Sequence, residues 1–235
     1  MQILRDTKER NTLIWGARSQ GRIILSMIRE RGSEFPNPLF FDPSVSFDSL
    51  DGVPVIHSPK FLQNKMRTID NFFVAIGGEF GELRNYISLR LRKAGLNSPN
   101  LISTQSYIHT SVKLNFGIQI MPGVCITQFA RLESDIILNT NSTVDHESEL
   151  GNGVHIMGGA CVTGRVKIGN WSTVGTNSTV LPDIEIGEKV FIGAGSVVTR
   201  DILKSGIYVG APATRIRSWD YELEETVVDE IVQHI

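Results

Sequence analysis

His146 is the residue of this chain best suited to moving a proton, and Glu147 follows it directly. It stands two places after Val144, an inward position of the aliphatic register described next, so its imidazole should project outwards to where a substrate can reach it. An unperturbed imidazole titrates near neutrality, as a general base requires. General-base chemistry at such a histidine needs a proton removed from the attacking group, developing charge stabilised by a nearby donor, and the reactants held close. His155, Gly164 and the glycine-rich run Gly193-Ala194-Gly195 lie in the same repetitive stretch. The plainer reading of His146 is a solvated surface histidine, and of His155 a residue capping a strand edge or packed at an interface.

The stretch has a register of its own. From Ile108 to Val198 every sixth residue is aliphatic, without a miss, in a chain that is only 41% hydrophobic. Four residues on, a second register holds small or β-branched residues, among them Val124, Ala130, Ser148, Ala160, Val166 and Ser178. A period of six fits neither an α-helix nor a plain strand. It suits a solenoid of short flat strands, in which each coil buries its aliphatic stack only by resting on its neighbours. Asn115, Asn139, Gly151, Gly169, Gly175, Gly187 and Gly193 directly follow aliphatic positions and are expected to provide bends with φ > 0.

Residues 1–97 have another character. Thr12 to Gly16 reads as a buried strand entering a glycine turn, Gln20 to Arg31 as a helix stopped by Gly32, and Pro38 to Pro43 as a second strand ending on Asp42. Asn71 to Gly78 reads as a third strand, and Glu79 to Ala94 as a long helix whose Arg84, Arg90, Arg92 and Lys93 form a solvated face. Alternating strands and helices imply a parallel sheet with ligand chemistry at the carboxyl ends of its strands. The turn Gly16-Ala17-Arg18-Ser19-Gln20-Gly21 lies where backbone N–H groups can receive phosphate, although it has neither dinucleotide spacing nor a P-loop lysine.

The hexad repeat resembles that of the hexapeptide-repeat acyltransferases, whose fold is a left-handed parallel β-helix of three hexads, about 18 residues, per coil. The hand comes from the resemblance, since ordinary crossover connections favour the right. A small α/β Rossmann-like domain followed directly by hexads, together with the stretch from Leu138 to Gly164, resembles the NeuD/PglD type of sugar O- and N-acyltransferases along almost the whole chain. That resemblance implies His146 as general base, Glu147 as the carboxylate orienting it, and His155 as a second active-site histidine. It also implies that Gly164 supplies a backbone N–H near the thioester carbonyl. Gly193, Ala194 and Gly195, with Gly210, Ala211 and Pro212 of the closing Gly-x-Pro-Ala segment, would lie along coenzyme A. The turn Gly16 to Gly21, Asp42 and the strand end Ile76-Gly77-Gly78 would hold the nucleotide of the sugar donor. Ser19 and Gln20 depart from the usual Gly-Ala-x-Gly-His-Gly loop. With three hexads per coil, Gly164 stacks one coil above His146, while His155, half a coil away, faces elsewhere. Both histidines can line one site only if a second subunit brings its own, which implies a homotrimer with active sites between subunits.

The expected organisation is therefore a Rossmann-like domain over 1–97, a β-helix over 98–217 and a helical tail over 218–235, amphipathic through Leu223, Val227, Ile231 and Ile235 and docked on the prism end or a partner. A net charge of −2 gives no bulk electrostatic case for nucleic acid or an anionic membrane, and the absence of a signal peptide or a spanning run implies a cytoplasmic protein. Cys125 and Cys161 read as reduced packing residues, two coils and roughly 10 Å apart, beyond disulfide reach. The functional expectation is an acetyl-CoA-dependent N-acetyltransferase acting on a nucleotide-linked amino sugar, of 4-amino-6-deoxy type, without a metal. O-acetylation of a sugar such as sialic acid is the nearest alternative. A γ-type zinc carbonic anhydrase would require His109, His146 and His155 to converge on one metal, and a non-catalytic solenoid would leave the His-Glu pair without a task.

Overall fold

The computed structural model describes residues 10–219, 223 and 227–232. They form two compact units, one from the described residues of Met1–Ile76, Tyr86–Pro99 and Glu224–Ile235, the other from Gly77–Asn85 and the described residues of Asn100–Leu223.

The first unit is built on a five-stranded sheet of order β3-β4-β2-β1-β5, with β1 Asn11–Trp15, β2 Pro38–Phe41, β3 Ser49–Leu50, β4 Val53–Ile56 and β5 Ile69–Val74. All pairings are parallel except that of the short edge strand β3 with β4. Leu13, Ile14, Phe40, Phe41 and Phe72 are almost wholly buried, as residues of a sheet covered on both faces should be. The helices are α1 Ser19–Glu30, α2 Pro59–Lys65, α3 Gly81–Lys93 and α4 Val227–Val232. Residues 49–65, which carry β3, β4 and α2, go beyond the sequence expectation. Pro54 inside β4 hid the strand, and it is tolerated because its partner is the two-residue edge strand β3. The tail helix α4, expected on the prism end or a partner, packs on α2 of its own unit, and Asp229 accepts the Tyr86 hydroxyl at 2.8 Å and pairs with Arg90 at 2.9 Å. The expected contribution of Ile235 lies outside the described residues.

The second unit is a prism of three sheets whose coil strands pair in parallel, with an antiparallel pair, Gly206–Val209 and Thr214–Arg217, closing one of them. Strands two or so residues long pair with the strand one coil on: Cys125↔Thr143↔Cys161 on one face, Arg131↔Glu149↔Lys167 on the next, Ile137↔His155↔Thr173 on the third. Here we name these the neutral, the charged and the covered face. The neutral face carries Tyr107, Cys125, Thr143, Cys161, Thr179 and Val197, and the charged face Lys113, Arg131, Glu149, Lys167 and Glu185. From Ile120 to Val198 every hexad aliphatic is at most 3% exposed, so the stack is the core that makes neighbouring coils interdependent. Serines in the second register bond between coils: Ser148 Oγ donates to the Thr163 carbonyl at 2.8 Å and accepts from the Val166 N–H at 3.2 Å.

The bends correct the sequence reading. Positive φ falls three places after each aliphatic residue, not one, and recurs every sixth residue from Gly117 to Gly195. Several non-glycines occupy it, including Phe129, Asn141, Glu147 and Trp171. The glycine directly after the aliphatic residue answers a different need, close approach between coils. A Cβ on Gly169 would stand 2.7 Å from Glu188 N, and one on Gly175 2.7 Å from Ala194 N.

Candidate active site

His146 and Glu147 form the two-residue bend between the neutral-face strand Thr143–Val144 and the charged-face strand Glu149–Leu150. The bend is fixed from beneath. Thr127, one coil earlier, donates its hydroxyl to Asp145 Oδ1 at 2.7 Å, and the same oxygen accepts the His146 N–H at 2.7 Å. These two bonds, the Thr127 one first, lower the Asp145 pKa and keep it a carboxylate. From above, the Arg165 N–H donates to the His146 carbonyl at 2.8 Å. Glu147 takes φ 58°, a left-handed conformation costly to a residue with a Cβ, and its Oε2 meets His146 Nδ1 at 3.1 Å. With Nδ1–H donating to Glu147, Nε2 keeps a lone pair, and the side chain is 40% exposed.

The imidazole lies flat against Gly164. A Cβ there would strike His146 Nε2 and stand 2.7 Å from Cε1 and 3.0 Å from Cδ2, so only glycine leaves room for the ring. Among the described residues no acceptor pairs with the Gly164 N–H, whereas its carbonyl accepts from Asp183 N. Arg165 and Asp183 close the upper edge with a two-point ion pair at 2.6 and 2.8 Å. The result is a lone pair and a free backbone donor on adjacent coils, the two elements that acyl transfer needs.

Gly193, Ala194 and Gly195 form another corner, between the covered-face strand Val190–Ile192 and the neutral-face strand Val197–Val198. A Cβ on Gly195 would meet nothing within 4 Å, while its N–H donates to the Thr176 carbonyl at 2.8 Å. Gly210 turns with φ 101°, the Ala211–Pro212 peptide is cis, and Ala213 N returns to Val197 O at 2.8 Å. One chain therefore does not bring this corner to His146; the two corners flank the neutral face on opposite sides.

His155 lies on the covered face, 3% exposed, and its own chain covers it. Nδ1 meets the Gly78 carbonyl at 2.9 Å, and the buried Nε2 has no partner. Burial first, then the charge of Arg84, push its pKa down to about 4 despite the Gly78 bond. Arg84, expected on a solvated face, is 1% exposed and donates to the carbonyls of Asp135 at 2.8 Å and Gly153 at 2.7 Å. Helical spacing cannot reveal this, because it marks a face and not what covers the face. Asp145 and Thr127 also escaped the sequence reading; their only signal is their place one residue after the aliphatic position on successive coils.

In the first unit, the turn Gly16 to Gly21 is built tightly. Gly16 has φ 106° and its Cβ would strike Ala75 O at 2.8 Å, while a Cβ on Gly21 would collide with the Gly16 carbonyl. Asp42, expected to meet ribose or base, is already engaged within the chain: Oδ2 accepts Ala17 N at 2.9 Å and Oδ1 accepts Ser44 N and Oγ at 2.9 and 2.6 Å. Burial alone would raise its pKa, but the bonds from Ser44 and Ala17 and the charge of Arg18 together lower it. Asp42 braces the turn and takes up the Ala17 N–H. Arg18 reaches Ser44 Oγ at 3.3 Å, and Ile76, Gly77 and Gly78 follow β5. Cys125 and Cys161 are both free, with Thr143 between them in register. Among the described residues no three histidine, cysteine, aspartate or glutamate side chains converge as a metal would require, so His109, His146 and His155 stay apart. Likewise no helix is long and apolar enough to cross a membrane.

No protein-family model and no curated protein sequence matches the chain. Solved structures do. Perosamine N-acetyltransferase from Caulobacter crescentus, in complex with CoA and GDP-perosamine, is 27% identical over 88% of this chain and 96% of its own, with a TM-score of 0.80. The acetyltransferase domain of PglB from Neisseria gonorrhoeae, in complex with acetyl coenzyme A, is 27% identical over 88% of this chain and all of its own, with a TM-score of 0.81. WeeI from Acinetobacter baumannii, 24% identical with a TM-score of 0.80, shares the fold. The stacked short parallel strands fit a left-handed parallel β-helix. This chain is similar to the perosamine N-acetyltransferase and the PglB acetyltransferase domain through nearly the whole of their length, in sequence as well as in coil geometry, which supports an acyltransferase here as well.

Proposed function

We propose that the protein is an acetyl-CoA-dependent N-acetyltransferase acting on the amino group of a nucleotide-linked sugar, of 4-amino-6-deoxy type. The observation that carries this reading is the His146 corner: an imidazole held by Glu147, its Nε2 open, pressed on a glycine whose N–H is free. The sugar amine attacks the thioester carbonyl and forms the C–N bond, while Nε2 takes the amine's proton. The oxyanion receives the Gly164 N–H. Collapse breaks the C–S bond, and the imidazolium returns the proton to the departing thiolate of coenzyme A. No covalent acyl-enzyme is needed.

The first unit serves as a Rossmann-like nucleotide-sugar domain, with the turn Gly16 to Gly21, braced by Asp42, and Ile76 as acceptor contacts, while Gly77 and Gly78, which the second unit carries, are that unit's acceptor contacts. Coenzyme A runs along Gly193, Ala194, Gly195 and the Gly210-Ala211-Pro212 segment. The neutral face lies between that corner and His146, and its strand positions Tyr107, Cys125, Thr143, Cys161, Thr179 and Val197 carry no charge. Packing three copies on that face would bring one chain's His146 to the next chain's coenzyme corner, which supports a homotrimer. Likeness to the perosamine enzyme supports a nucleotide-linked amino sugar as acceptor.

The test is release of free thiol from acetyl-CoA by purified protein offered GDP-, dTDP- and UDP-linked 4-amino sugars. Turnover with one of them supports the reading and identifies the nucleotide. Silence across that panel, with turnover on sialic acid or another hydroxylated sugar, replaces it by O-acetylation.

A further inference from the structure

Residues 77–85 are fixed to the covered face of the prism by a set of contacts that acyl transfer itself does not call for. At one end His155 Nδ1 donates to the Gly78 carbonyl at 2.9 Å. At the other, the Arg84 guanidinium reaches the carbonyls of Asp135 and Gly153, and Asn85 Nδ2 donates to Asp135 Oδ2 at 2.7 Å. Between them Glu82 pairs with Lys189 at 2.8 Å. Gly81 and Gly153 touch backbone to backbone, so closely that a Cβ on either would strike the other's carbonyl. Among the described residues His155 is the hydrogen-bonding anchor on Gly78 itself, and its Nε2 is sealed from solvent. An imidazole whose outer nitrogen is sealed and whose inner nitrogen holds a carbonyl is placed to position that carbonyl, not to meet a coenzyme.

We propose that His155 is a positioning residue for the acceptor side: through Nδ1 it clamps Gly78, and with Arg84 it sets the Gly77–Gly78 segment for nucleotide-sugar binding. The acceptor part rests on the reading of Gly77 and Gly78 given above. The clamp makes a geometric demand that separates it from a role for Nε2. Asparagine carries an N–H as many bonds from Cα as Nδ1, and glutamine carries one as many bonds out as Nε2.

The experiment compares His155→Asn, His155→Gln and His155→Ala in the full-length protein. Two readouts are taken: amide hydrogen exchange of peptides spanning 76–85, and KM for the nucleotide amino sugar and for acetyl-CoA measured separately. We expect faster exchange and an acceptor KM raised about tenfold in His155→Ala and His155→Gln, the loss of one hydrogen bond's worth of order. In His155→Asn both return towards wild type, and KM for acetyl-CoA stays unchanged in all three. Rescue by glutamine instead of asparagine, or a rise confined to the KM for acetyl-CoA, overturns the proposal and makes His155 a coenzyme contact. Unchanged exchange in His155→Ala overturns the clamp. Faster exchange with an unchanged acceptor KM leaves the clamp but refutes Gly77–Gly78 as acceptor contacts. Because exchange is read without turnover, it decides the clamp even if the wild-type protein proves inactive on amino sugars.

Discussion

Replacing Gly164 by alanine adds one carbon atom at the place where the reaction is proposed to occur. The new Cβ would strike His146 Nε2 and stand 2.7 Å from Cε1 and 3.0 Å from Cδ2, whereas carbon atoms in contact prefer about 3.5–4.0 Å. The ring must therefore retreat by roughly 1 Å, and a misplacement of that size costs on the order of 100-fold in rate. That is about 2.7 kcal/mol of transition-state stabilisation. The fold should accept the change, because Gly164 is not among the positive-φ residues and its nearest neighbours are all atoms of the mobile imidazole. The assay is steady-state thiol release with acetyl-CoA and the amino-sugar acceptor, with thermal unfolding followed in parallel. The expected result is kcat/KM down by about two decades at a nearly unchanged melting temperature. Wild-type kcat/KM in Gly164→Ala would show that the imidazole does not react from its place on Gly164, and the mechanism would fall.

Other perturbations separate the remaining parts. Glu147→Gly removes the partner of His146 and the left-handed strain together, so it should lower kcat yet stabilise the fold by about 1 kcal/mol, seen as a melting temperature roughly 2–4 °C higher. His155 has its pKa lowered to about 4 in the fold, against about 6.5 in an unfolded chain. The stability that its neutral form secures is present above pH 6.5 and is lost as pH falls to 4, by about 3 kcal/mol in all. Denaturant titrations across that range should show the acid loss shrinking in His155→Asn, and an identical pH slope in both proteins would contradict the burial argument. Thr143→Arg places a charge at the middle of the neutral face and should convert the proposed trimer to monomers in light scattering, whereas Lys167→Glu on the charged face should not.

The solenoid could be read from the chain because its core admits only aliphatic residues at one place in six, and a stack from Ile120 to Val198 records that demand in every coil. The bends were harder to read. A left-handed residue is required three places on, but Phe129, Glu147 and Trp171 occupy that position as well as glycine, so residue type does not mark it. The glycines that do stand out, such as Gly169 and Gly175, serve coil contact instead. At the site, the stacking of Gly164 on His146 follows from spacing once a coil is known to take three hexads, whereas the pairing of His146 with Glu147 comes from the resemblance. What spacing could not give is burial by distant chain. Arg84 looks like its neighbours Arg90 and Arg92 on a polar helix, yet it alone is sealed against Asp135 and Gly153. For the same reason His155 looked available, and Asp42 looked like a ligand rather than the brace of its own turn.

The central claim is that His146 removes the proton of an amine that attacks the thioester directly. A single-turnover experiment with labelled acetyl-CoA and the amino-sugar acceptor, comparing the wild-type protein with His146→Ala, tests it most directly. The account predicts label passing straight to the sugar amine, with no labelled protein at any time. It also predicts a rate lower by about 10²–10⁴ in the variant at unchanged affinity for acetyl-CoA. Label trapped on the protein, or a His146→Ala rate close to wild type, would contradict it.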